Sequence, residues 1–163
     1  LHSTSRRQRQ MCIRDRDEAT KERVEYLADL GVDVVIGTHP HVIRPYGMME
    51  RPDGKQMLVY YSLGNFVSGQ QGISQLLEGM ADMTFVKDPD TGEISIETYS
   101  MEPLVMHYEP GYSGYAVYPL EKYTEELAAA SGVHQETNED FSPESIQAYF
   151  EPYLKPQVFE RSE

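Results

Sequence analysis

The chain's 163 residues amount to about one domain with a single modest core, and 27 acidic against 14 basic residues give a formal net charge of −13. That balance excludes a protein that grips nucleic acid or anionic lipid through a basic field. No run of about 18 apolar residues offers a membrane span, and a lone cysteine, Cys12, cannot build a disulfide framework.

Residues 1–16, LHSTSRRQRQMCIRDR, hold five of the 14 basic residues, one of the 27 acidic ones, the only cysteine and no apolar periodicity. Two readings stand: a disordered basic arm, or a non-native segment resembling adapter-derived translation at the end of an open reading frame. On either, the fold is expected in residues 17–163. The segment has no apolar stretch of the kind a signal peptide needs.

From Asp17 the pattern turns regular. DEATKERVEYLADLG sets Val24, Leu27, Ala28 and Leu30 at helical spacing, with acids at its start and Gly31 placed to end it in a left-handed turn. Val32–Ile36 follows at once with only Asp33 polar, the pattern of a strand covered on both faces in a parallel sheet. Helix then buried strand is the second half of a βαβ unit whose first strand is not in this sequence, so a longer parent protein is expected.

A second apolar run, Met57–Leu63, comes after the turn signal Arg51-Pro-Asp-Gly54 and predicts another central strand. GMADMTFVKDPDTGEISIETYS alternates polar and apolar residues around Asp88-Pro-Asp-Thr-Gly92 and predicts an antiparallel hairpin. Short strands are expected at Leu104–Tyr108 and Tyr115–Leu120, then a helix over Glu121–Ser131 closed by Gly132, then a polar acidic connection. The last helix opens at Ser142-Pro143, with Ile146, Tyr149, Phe150 and Tyr153 on its buried face. The fold class is α/β.

Gly37-Thr-His-Pro-His41 falls beyond the carboxyl end of a strand, where ligands gather in α/β sheets. The proline holds His39 extended, so His39 and His41 are expected to project to one side. Neutral imidazoles so placed bind divalent metals, and Gly37 allows a close backbone approach. Two histidines on a surface loop are also a common accident. Asn65, in Ser62-Leu-Gly-Asn-Phe66, could meet substrate, orient a metal ligand, or simply stabilise its loop. Arg44 could pair with a phosphate or carboxylate substrate, or be an ordinary surface arginine. His107 reads as a satisfied buried histidine and His134 as solvated. Ser62 lacks the nucleophile-elbow pattern of a serine hydrolase.

VDVVIGTHPHVIRP followed by LVYYSLGNFVSGQ resembles the two C-terminal motifs of the CapA family of bacterial capsule and poly-γ-glutamate synthesis proteins, and weaker likeness extends over most of residues 17–163. That family is similar to the calcineurin-like metallophosphoesterases. The resemblance implies the C-terminal part of an α/β/β/α sandwich with mixed sheets around a centre of two divalent metal ions (Mn, Fe or Zn), with His39 and His41 as ligands. The family's Asp-containing strand end, Asn-Asn-His and His-Trp-Gly segments have no counterpart here. The chain alone is therefore expected to be inactive and to need the missing N-terminal half as its partner. It implies a metal-dependent hydrolase or transferase of capsule or poly-γ-glutamate biosynthesis at the cell envelope or extracellular face. The alternative is a non-catalytic binding or assembly component of a cell-envelope polymer synthesis complex.

Overall fold

A computed structural model describes residues 18–162; the expectation for residues 1–16 falls outside them. The elements run α1 (Glu18–Asp29), β1 (Val34–Ile36), β2 (Tyr46–Glu50), β3 (Gln56–Tyr60), α2 (Ile73–Leu76), β4 (Leu77–Lys87) and β5 (Ile94–Glu109). They continue with β6 (Ser113–Pro119), α3 (Glu125–Ala130), α4 (Pro143–Phe150) and β7 (Gln157–Phe159). The α/β class is as expected from the sequence.

Two sheets form. The first is mixed, in the order β1-β3-β2-β7: β1 runs parallel to β3, β2 antiparallel to β3, and β7 parallel to β2. The second is the antiparallel meander β4-β5-β6. Side chains alternate across β3 with the period of two that a strand imposes. Leu58 and Tyr60 join the cluster shared with Leu76 of α2, with Leu77, Val105 and Met106 of the second sheet and with Ile146 and Phe150 of α4. Met57 and Val59 turn the other way, onto Val24 and Ala28 of α1. The first sheet is thus covered by α1 on one face and by the second sheet and C-terminal helices on the other.

Gly31 ends α1 at φ 78, as its place in the sequence predicts. Asp88 makes the hairpin turn by accepting the amides of Asp90 and Thr91 at 2.8 and 2.7 Å. Ser142 caps α4 through the Ser145 amide.

Three expectations need correction. β1 is an edge strand among the described residues, with Ile36 51% exposed, and is not covered throughout on both faces; Val34 and Val35 alone pack against the two clusters. Glu121–Ser131 is split, because Leu120–Lys122 forms a 3-10 turn and Thr124 recaps the chain for α3. Gly132 does not close α3 in a left-handed turn; it opens a 3-10 turn against the Tyr108 ring, which a Cβ there would meet at 2.4 Å.

Candidate functional site

The site is built where β1 and β3 end side by side. Gly37 locks the two ends together: its amide donates to Tyr60 O at 2.8 Å and its carbonyl accepts from Leu63 N at 3.0 Å. A Cβ on Gly37 would stand 2.3 Å from Tyr61 O, so the close approach read from the sequence is met by a residue that tolerates no side chain.

Beyond Gly37 the chain turns tightly, with His41 N donating to Thr38 O at 3.4 Å. His39 and His41 meet as expected, their ring centroids 5.1 Å apart at 67°, but by a different route. His41 sits at φ 68, in the left-handed region, so a turn around the buried Pro40, not extended alternation, brings the rings together. A non-glycine residue held there is strained, and such strain is often stored at functional sites. His39 is exposed and His41 half-buried.

Asn65 fixes His41. Its Nδ2 donates to Gln75 O at 3.2 Å, His41 O at 3.4 Å and Gln70 Oε1 at 3.0 Å. Two of those partners are main-chain carbonyls, which can only accept, so Oδ1 is the atom turned to His41 Nδ1, 2.6 Å away. His41 therefore donates from Nδ1, which in the neutral ring leaves the lone pair on Nε2, the arrangement by which a neighbour orients an imidazole for coordination.

The turn carrying Asn65 has its own supports. Ser62 is fully buried and its Oγ accepts the Gly64 amide at 3.2 Å, which fixes the loop. Gly64 holds φ 81 and Phe66 φ 68. Gly64→Val is expected to destabilise the chain by about 1 kcal/mol or more, because a β-branched residue is strained at positive φ. Denaturant titration checks it, and an unchanged midpoint would show that the turn relaxes freely.

Arg44 departs from the surface reading of it. Its side chain is 1% exposed, among the largest fully buried in the protein, so it is not an ordinary surface arginine. His107 is buried, its Nδ1 2.9 Å from the Tyr123 hydroxyl, and burial lowers its pKa. His134 is exposed, but its Nε2 donates to Ala128 O at 3.0 Å. Among the described residues no group of three or more His, Cys, Asp or Glu could hold a metal ion, and no helix is long and apolar enough to cross a membrane.

One neighbour of the site went unread in the sequence: Glu78, at the start of β4, is fully buried. Its only signal was an acid inside the otherwise apolar stretch Leu76–Met80, which polar and apolar alternation assigns to a solvated face.

Residues 10–70 match the family model described as bacterial capsule synthesis protein PGA_cap. The capsule biosynthesis protein CapA of Bacillus anthracis is 40% identical over 58 residues, covering 33% of this chain and 13% of that protein. The PGA biosynthesis protein CapA of Bacillus subtilis (strain 168) is 29% identical over 82 residues, covering 50% of this chain and 20% of that protein. The matched segments thus span a fifth or less of these curated relatives. No solved structure matches. The family match takes in β1, the His39–His41 turn, β3 and Asn65 together, so over that segment the chain is similar to the bacterial capsule synthesis proteins of the PGA_cap family.

Proposed function

We propose that this chain is part of a protein of capsule or poly-γ-glutamate biosynthesis at the cell envelope, of metallophosphoesterase type. In it, His39 and His41 supply two imidazoles to a divalent-metal centre. The observation that carries the reading is the pairing of the two rings with His41 already oriented by Asn65. The donor set fits a metal in kind, since neutral imidazoles with Nδ1 anchored are good ligands for first-row divalent ions. It fits in part only: two imidazoles cannot hold two ions against water, so further ligands come from elsewhere in the full-length protein.

A metal held there supplies Lewis-acid polarisation of a phosphoester or similar group and a bound water acidic enough to act near neutral pH. The residues of this chain do the positioning. Asn65 keeps the His41 Nδ1 proton in place and Nε2 open, and the Gly37 junction sets the loop against β3.

Metal content after gel filtration tests the reading, in a full-length homologue and in this chain. Alanine at the positions of His39 and His41 is expected to strip the full-length protein of metal, and Asn65→Ala to weaken binding roughly 10–100-fold. A full-length protein that kept its metal and any phosphoesterase activity after both histidine substitutions would overturn the assignment. The role of a non-catalytic assembly component would then stand in its place.

A further inference from the structure

Glu78 is 0% exposed, and neither of its carboxyl oxygens completes a hydrogen bond among the described residues. Buried polar groups are almost always paired, and an exception calls for a reason. Its surroundings supply one. Gly79 N donates to Leu63 O at 2.8 Å, which binds the start of β4 to the strand end that leads into the Asn65 turn. A Cβ placed on Gly64 would lie 3.4 Å from Glu78 Cα and 3.5 Å from its Cγ, so the turn rests on the stem of this side chain. The Phe66 amide faces the carboxyl and favours its charged form, though short of a completed bond. Phe66 is the strained residue that follows Asn65.

We propose that Glu78 is a positioning residue for the His41–Asn65 pair: its carboxyl, closed beneath the Gly64–Phe66 turn, holds that turn in the conformation that presents Asn65 Oδ1 to His41. A carboxyl suits the place because it offers an acceptor to the Phe66 amide, which a hydrocarbon of the same size does not. Burial pushes the group up to about 8, so near neutral pH it is uncharged; apart from the Phe66 amide nothing else shifts it, and no charged side chain among the described residues acts on it. The proposal rests on the preceding reading only in taking the His41–Asn65 pair as the working part of the site.

The test is nitrogen NMR of the imidazole rings in the whole 163-residue chain, treated with a chelator, at about pH 7.5. Wild type and Glu78→Gln are expected to show widely separated His41 ring-nitrogen signals, the signature of one fixed tautomer, because glutamine keeps the acceptor. Glu78→Leu is expected to narrow that separation by about half or more as the tautomers mix. The His39 signals should not move. A folded Glu78→Leu chain with the separation intact overturns the proposal. If that variant does not fold, Glu78→Met, which keeps the length of the stem and removes the oxygen acceptors, provides the same comparison. Narrowing in Glu78→Met but not in Glu78→Gln supports the role, and no narrowing in a folded Glu78→Met chain overturns it. No metal enters the measurement, so failure of the metal reading and failure of this one give different results.

Discussion

Gly37→Ala is expected to cost about 2–4 kcal/mol of stability, as overpacking against main chain added to the loss or stretching of two hydrogen bonds. The added methyl would stand 2.3 Å from Tyr61 O and 3.0 Å from its carbonyl carbon, and 3.3 Å from Tyr60 O. These are backbone atoms of β3 and its extension, which cannot rotate aside as a side chain can. The strand ends must therefore part, and the bonds to Tyr60 O and from Leu63 N go with them. Gly69→Ala is the control, since nothing lies within 4 Å of a Cβ there. Chemical denaturation of both variants decides the matter. A Gly37→Ala chain within about 0.5 kcal/mol of wild type, the range of an ordinary surface change, would mean that the junction between β1 and β3 is looser than these distances require.

Glu78→Gln should gain on wild type as pH rises. The Glu78 carboxyl moves from its ordinary 4.5 to about 8 in the folded protein because burial disfavours its charge. Below about pH 4.5 the group is protonated folded and unfolded, and it makes no difference. Between that value and about 8 the unfolded chain ionises while the folded one does not, so the folded state holds the extra proton and stability falls as pH climbs. Above about 8 both are ionised and the loss levels off. At about 1.4 kcal/mol per unit, the loss over the whole window is on the order of 5 kcal/mol, and glutamine escapes it. Other carboxylates titrate alike in both proteins and cancel in the difference. Urea titrations of the pair at about pH 5 and about pH 8.5 measure it, and a difference that stays constant would show that Glu78 ionises as freely folded as unfolded.

Much of this could be read from the residues. The β-branched run Val32–Ile36 and the Met57–Leu63 run announced two strands, and the structure pairs them in parallel, Val34 opposite Leu58. Asp88-Pro-Asp-Thr-Gly92 announced its hairpin through turn chemistry that acts within a few residues. Features that depend on distant parts of the chain stayed hidden. Tyr46–Glu50, YGMME, carries a glycine and two methionines and has no strong strand preference; it is a strand because β3 and β7 flank it. Gln157–Phe159 is a strand for the same reason. At the site, the spacing of His39 and His41 put the two rings on one side, but not through the turn that joins them; Asn65 was open to three roles, and which one it takes toward His41, 24 residues away, was not legible. The surface reading of Arg44 failed, and Glu78 was passed over, because a charge is taken by default as exposed, and tertiary packing overrode the default at both.

The two sheets also differ in what they ask of the chain as it folds. β4, β5 and β6 follow one another, and six residues, 88–93, close the first hairpin. β7 must return to β2 across residues 51–156. With closure entropy growing as the logarithm of loop length, that return costs about 2.5 kcal/mol more in lost chain freedom than the hairpin does. The sheet that bears the histidine turn is therefore the one completed by the most distant pairing. The three short strands around its core, β1, β2 and β3, must hold one another in register through contacts that are local in sequence until β7 arrives.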